Sequence, residues 1–139
     1  MHLRRRTFFV TGLSATAMLT LLPEASAKQI ADAIDNFTGG AQLSEGGVDL
    51  AIDSIAENGF TVPVEVFADN AVSIAIFADD NPDAEVVVFT FGQFAGKRRA
   101  STRMRLARSQ NVIAIAQMAD GTYRSTAKKV AVIIGGCGA

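Results

Sequence analysis

An all-β fold, an immunoglobulin-like β-sandwich of about seven strands with a short N-terminal helix and a flexible C-terminal tail, is what this sequence predicts. Three observations lead there. Between residues 48 and 134 apolar side chains recur mostly at every second position, as they do along a strand with one buried face. Turn-forming residues break the pattern about every ten residues. No long stretch of helical period interrupts it, which argues against a parallel α/β sheet.

The chain begins with what reads as a targeting segment over residues 1–27. Arg4, Arg5 and Arg6 form a basic start, an uncharged stretch runs from Phe8 to Leu22, the helix-ending Pro23 follows, and Ala25-Ser26-Ala27 is a small-residue triplet that a signal peptidase accepts. The stretch is diluted by Thr11, Gly12, Ser14, Thr16 and Thr20 and is shorter than the ~20 apolar residues needed to cross a bilayer, so a membrane anchor is not expected. Arg5-Arg6-Thr7-Phe8-Phe9 resembles a twin-arginine export signal, with an ordinary secretory signal as the alternative. Export to the periplasm is therefore expected, with cleavage before Lys28. Removing Arg4 to Arg6 and Glu24 from the totals of 13 basic and 14 acidic residues leaves 10 and 13.

Residues 28–47 read as a short helix and a linker. Ile30, Ala33, Ile34 and Phe37 stand at helical spacing, and Gly39-Gly40 supplies a stop. The domain proper, residues 48–134, opens with Val48, Leu50 and Ile52 on one side of a strand, although a helix through Ile55 fits the same residues. Val62, Val64 and Val66 alternate, with Pro63 expected at a strand edge or start because it has no N–H to donate. Val72, Ile74 and Ile76 repeat the pattern, and Glu85 to Phe91 is a β-branched and aromatic run set off by the turn Asn81-Pro82-Asp83. Thr102, Met104 and Leu106 oppose Ser101, Arg103 and Arg105. Val112, Ala114, Ala116 and Met118 precede the Asp120-Gly121 turn, and Val130, Val132 and Ile134 close the domain.

At 139 residues, 49% hydrophobic and 19% charged, the chain has the composition of one globular domain. A net charge of -1 gives no footprint for nucleic acid. Past residue 27 there is no histidine, no tryptophan and a single cysteine, which removes most familiar catalytic machinery and leaves too few ligands for a zinc site. No cofactor is expected.

That cysteine stands in the segment 135–139, Gly135-Gly136-Cys137-Gly138-Ala139. Glycines on both sides give the backbone wide freedom and keep the peptide thin. At ~3.3–3.6 Å per extended residue, Cys137 reaches about 10 Å past Ile134, far enough to enter a narrow channel in another protein. An odd cysteine in an exported protein has no internal disulfide partner. Nothing in the neighbouring sequence activates the thiol, and an ordinary pKa of about 8.5 suits a carrier whose partners supply the activation. Cys137 therefore reads as a covalent attachment point rather than a catalytic residue. A thiol-dependent redox enzyme and a structural β-sandwich subunit are the alternatives. Lys97, Arg98, Arg99, Arg103, Arg105 and Arg108 read as a solvated strand face and turn, with a docking patch for acidic partners or anionic substrate as the second reading.

The tail, preceded by Lys128-Lys129-Val130-Ala131-Val132, resembles the C-terminus of the SoxY family, the sulfur-carrier subunits of the bacterial Sox thiosulfate-oxidation system. Glu57-Asn58-Gly59 with Val62-Pro63, Asn81-Pro82, the strand from Thr102 to Arg105 and Asp120-Gly121 also fit. The family's usual ending is Gly-Gly-Cys-Gly-Gly, and Ala139 replaces its last glycine. The resemblance implies thiosulfate-derived intermediates held on Cys137 as a cysteine S-thiosulfonate and related adducts. It implies a heterodimer with a SoxZ-like β-sandwich subunit, and transient contacts with a haem c cytochrome complex, a metal-dependent sulfate-releasing hydrolase and a molybdenum sulfur dehydrogenase.

Overall fold

The computed structural model describes residues 22–133. One helix, α1 (Leu22–Thr38), precedes nine strands: β1 (Leu43–Glu45), β2 (Asp49–Ile52), β3 (Ile55–Ala56), β4 (Val62–Phe67), β5 (Ala71–Ala78), β6 (Glu85–Thr90), β7 (Arg99–Met104), β8 (Gln110–Met118) and β9 (Tyr123–Val132). They form two sheets. One runs β1-β9-β8-β5-β6, with β3 also on β9; the other runs β2-β4-β7. The expected sandwich is the observed one.

The period-two residues meet between the sheets. Leu50, Val62, Val64, Val66 and Met104 from the smaller sheet pack against Ile74, Ile76, Val112, Ala114, Ala116 and Val130 from the larger, all buried. Burying one such aliphatic side chain is worth roughly 1.5–3 kcal/mol, so the alternation specifies which face of each strand turns inward.

β5 departs from strict alternation. Ile74 and Ile76 enter the sandwich as expected, but Val72 is 42% exposed. Against β8, Ala71 pairs with Met118 and Ser73 with Gln117, which leaves Val72 without a partner in a bulge. The other face of β5 is also buried: Ala75 and Phe77, with Ile115 of β8, receive Ile30, Ala33, Ile34 and Phe37 of α1. The ring of Phe37 meets Phe77 and Tyr123 edge-on at centroid distances of 6.0 and 5.9 Å. The helical stripe thus covers the larger sheet from outside, and Gly39 (φ 66°) and Gly40 (φ 79°) end the helix in the left-handed region.

The structure shifts several expected bounds. α1 begins at Leu22, not Lys28, and so runs through the predicted processing position; Pro23 lies in its first turn, where a missing N–H breaks no helical bond, rather than ending a helix. The segment 42–47 is not all linker, since β1 lies parallel to β9 with Leu43 beside Tyr123. The seven expected strands are present as β2 and β4 to β9, and among the described residues β1 and β3 add two short pieces paired with β9. Residues 52–56 are not helical, and β9 starts at Tyr123, seven residues before Val130, the first of the alternating residues that close the domain. Pro63 sits at the second position of β4, past the end of β2, whose pairing stops at Ile52 opposite Val64.

Candidate functional site at the foot of the C-terminal segment

Cys137, Gly135, Gly136, Gly138 and Ala139 lie outside the described residues, as do Arg5 and Arg6; Ala25 and Ala27 fall within α1. What the structure describes is the base from which the thiol-bearing segment departs. Val130, the last fully buried residue of β9, is 0% exposed. Beyond it the strand is held on two sides. The Ala131 N–H donates to the Ser54 carbonyl at 2.8 Å and the Ile133 N–H to the Ala56 carbonyl at 3.0 Å, so β3 grips one edge in parallel register. On the other edge the Val132 N–H donates to Ser109 Oγ at 2.8 Å, and that hydroxyl lies 3.4 Å from the Val132 carbonyl. The backbone is fastened through Ile133, and Cys137 is four residues further on.

Two loops complete the foot. Asn58 Oδ1 accepts the Phe60 N–H at 3.0 Å, and the Gly59 carbonyl accepts the Leu106 N–H at 2.8 Å, tying residues 57–61 to the β7–β8 connection. Gly59 is there because nothing larger fits. A Cβ on it would stand 2.6 Å from the Leu106 carbonyl oxygen and 2.9 Å from Val132 Cγ1. The Arg105 guanidinium lies 4.9 Å from the centroid of the Phe60 ring. These groups line a cleft of about 300 Å³ with Glu57, Leu106, Val132 and Ile133. Ile55, Phe60 and Ile133 are 57%, 74% and 53% exposed, giving this end of the sandwich an apolar rim.

The β7–β8 connection is itself fixed by a buried amide. Gln110 Oε1 accepts the Asp80 N–H at 2.8 Å, while its Nε2 donates to Asn81 Oδ1 at 2.9 Å and to the Arg108 carbonyl at 3.0 Å. Asn81 Oδ1 also accepts the Ala107 N–H at 3.0 Å, and Asn81 Nδ2 donates to the Arg105 carbonyl at 2.8 Å. The turn Asn81-Pro82-Asp83 is therefore more than a reversal: it braces the segment carrying Arg105 and Ser109. Sequence reading found the turn but missed Ser109, Gln110 and the short β3, since their partners lie 23 to 76 positions away.

A larger cavity, about 740 Å³, opens on the outer face of the β2-β4-β7 sheet, where Asp53 and Glu65 share the wall with Arg103 and Lys128 around small residues such as Ala51 and Ser101. No cysteine lines it, and of its lining residues Lys128 alone belongs to β9. Among the described residues no three His, Cys, Asp or Glu side chains group to hold a metal ion, and no helix is long and apolar enough to cross a membrane.

Comparison with known proteins agrees with this construction. The chain matches a solved structure of the sulfur carrier protein SoxY from Chlorobium limicola f. thiosulfatophilum at 30% identity and a TM-score of 0.67, over 78% of this chain and 99% of that one. A superoxide reductase (neelaredoxin) from Ignicoccus hospitalis matches at 11% identity and a TM-score of 0.56, over 63% of this chain and 81% of that one, and shares the fold alone. No curated protein sequence matches. The family described as sulfur oxidation protein SoxY matches residues 34–137, from the C-terminal part of α1 to the lone cysteine. The chain belongs to the SoxY family.

Proposed function

We propose that this protein is a sulfur-compound carrier of the periplasm, exported by the twin-arginine route, which holds thiosulfate-derived intermediates on Cys137 and presents them to partner enzymes. The observation that carries the reading is the contrast at the end of β9. The backbone is hydrogen-bonded on both edges as far as Ile133, and one thiol follows four residues later in a sequence of glycines. Four extended residues span about 13–14 Å, so a carrier anchored at Ile133 can pass its thiol into another protein without unfolding its own domain.

Loading forms a bond between Cys137 Sγ and the terminal sulfur of thiosulfate. The thiol loses its proton, and two electrons pass to an oxidant, a haem c cytochrome complex. Water then attacks the outer sulfonate in a metal-dependent hydrolase: the S–S bond to that group breaks, sulfate leaves, and a persulfide remains on Cys137. A molybdenum sulfur dehydrogenase oxidises this sulfur further. The chain supplies attachment and delivery in this scheme, and its partners supply the redox and hydrolytic chemistry. A SoxZ-like β-sandwich subunit completes the carrier as a heterodimer.

The test is intact-mass analysis of the protein isolated from cells oxidising thiosulfate. Sulfur adducts removable by a thiol reductant are expected on the natural chain and absent from Cys137→Ser, which also loses thiosulfate-dependent electron transfer. Full pathway activity in Cys137→Ser would leave a structural subunit as the correct reading, and turnover of thiosulfate by the isolated chain would make it an enzyme.

A further inference from the structure

We infer that the free edge of β7 is a docking strand for an acidic, extended segment of a partner protein. Six of the ten cations that follow residue 27 fall between Lys97 and Arg108. Among the described residues only two of the six meet a carboxylate within 4.0 Å: Arg99 with Glu65 at 3.7 Å and Arg108 with Asp80 at 3.3 Å. Among the described residues no carboxylate lies within 4.0 Å of Lys97, Arg98, Arg103 or Arg105.

β7 is also an edge. It pairs antiparallel with β4 from Arg99 opposite Phe67 to Met104 opposite Val62, and among the described residues no strand lies on its other side. Its outward backbone groups are a template for one more strand. Arg99, Ser101 and Arg103 face solvent while Ala100, Thr102 and Met104 face the core. A strand laid along this edge places a side chain opposite every second residue. Carboxylates four residues apart, about 13 Å, therefore meet Arg99 and Arg103 together.

Two of these arginines are also preset, Arg98 half-buried and Arg99 exposed. Arg98 lies 5.9 Å from the centroid of Phe91, with Nη1 donating to the Gly92 carbonyl at 2.6 Å, and Arg99 lies 5.4 Å from that of Phe67. Stacked guanidinium groups have less side-chain freedom to lose on binding than free ones. Charge on an edge strand also serves to prevent self-pairing. That role calls for repulsion between copies, and it makes a different prediction from a docking role.

The experiment uses the full chain, isotopically labelled and kept reduced, titrated with the peptide Glu-Val-Thr-Val-Glu capped at both ends and followed by NMR, which detects weak binding. Expected are shifts and slowed amide exchange confined to Arg99–Met104 and its flanks, weakening as salt is raised from about 20 to 300 mM. The same peptide with lysines in place of glutamates should not bind, and Arg103→Glu should weaken the acidic peptide about fivefold or more. Cys137→Ser should behave as the natural chain, which keeps this inference separate from the carrier reading. Equal binding of acidic and basic peptides, absent protection along β7, or an Arg103→Glu chain that only self-associates without change in peptide affinity would overturn it.

Discussion

Replacing Gly59 by alanine tests whether the foot of the thiol-bearing segment is as closely built as the geometry indicates. The new methyl would lie 2.6 Å from the Leu106 carbonyl oxygen and 2.9 Å from Val132 Cγ1. The first of these is backbone, and it cannot swing away as a side chain end can. It is also tied down, because the Leu106 N–H donates to the Gly59 carbonyl at 2.8 Å. Relief therefore requires the two loops to separate and that bond to stretch. Forcing one methyl into a packed site costs typically ~1–3 kcal/mol. Alanine recovers about 0.4–1 kcal/mol by narrowing the unfolded ensemble. The net expectation is a loss of about 1–2 kcal/mol, several degrees in Tm for a domain of this size. Gly96→Ala is the control, since no atom lies within 4 Å of its Cβ and its φ is outside the left-handed region; it should be neutral or slightly stabilising. Urea denaturation of both variants, kept reduced, reads the difference directly. A Gly59→Ala chain as stable as Gly96→Ala would refute the claim that this glycine is required by the contact with Leu106 and Val132.

Two further perturbations probe the supports around that foot. Gln110→Ala removes one acceptor and two donated hydrogen bonds from a side chain in a buried residue, leaving the Asp80 N–H unpaired; a loss of about 1–3 kcal/mol is expected in denaturant, with faster exchange at the Asp80 amide. At the β8–β9 turn, the Thr122 hydroxyl and then the Thr122 N–H hold the Asp120 carboxyl below its ordinary pKa. A depressed carboxyl stabilises the fold above its unfolded pKa and loses that contribution as the pH falls through its folded one. Acidification through and below the ordinary carboxylate range should therefore loosen this turn. An NMR titration should place Asp120 closer to the ordinary value in Thr122→Ala; an unchanged titration would show that Thr122 is not the cause.

Much of this architecture is legible in the residues alone. Val62, Val64 and Val66 alternate because one face of their strand is buried, and that requirement is written locally in the residues themselves. The same holds for Ile30, Ala33, Ile34 and Phe37, whose spacing anticipates the face that meets Phe77. β1 and β3 were not legible, because three and two residues carry too little pattern, and each is a strand only because β9 offers it a partner. Val72 was misplaced for a related reason: a bulge is a property of a pairing, and the pairing partner Gln117 lies 44 residues from Ser73. The arginine run was visible as charge, but whether it lay on a central or an edge strand depended on sheet order.

Periodicity, turn chemistry and the supply of reactive groups are local properties of a chain, and they suffice for the sandwich, the helical stripe and the single cysteine in its setting of glycines. Tertiary structure alone decided where that segment is tethered. Ser54, Ala56 and Ser109 fix the backbone through Ile133 by hydrogen bonds from positions 23 to 77 residues away. No local rule specifies bonds of that span, because they form only once both sheets have closed on a common core.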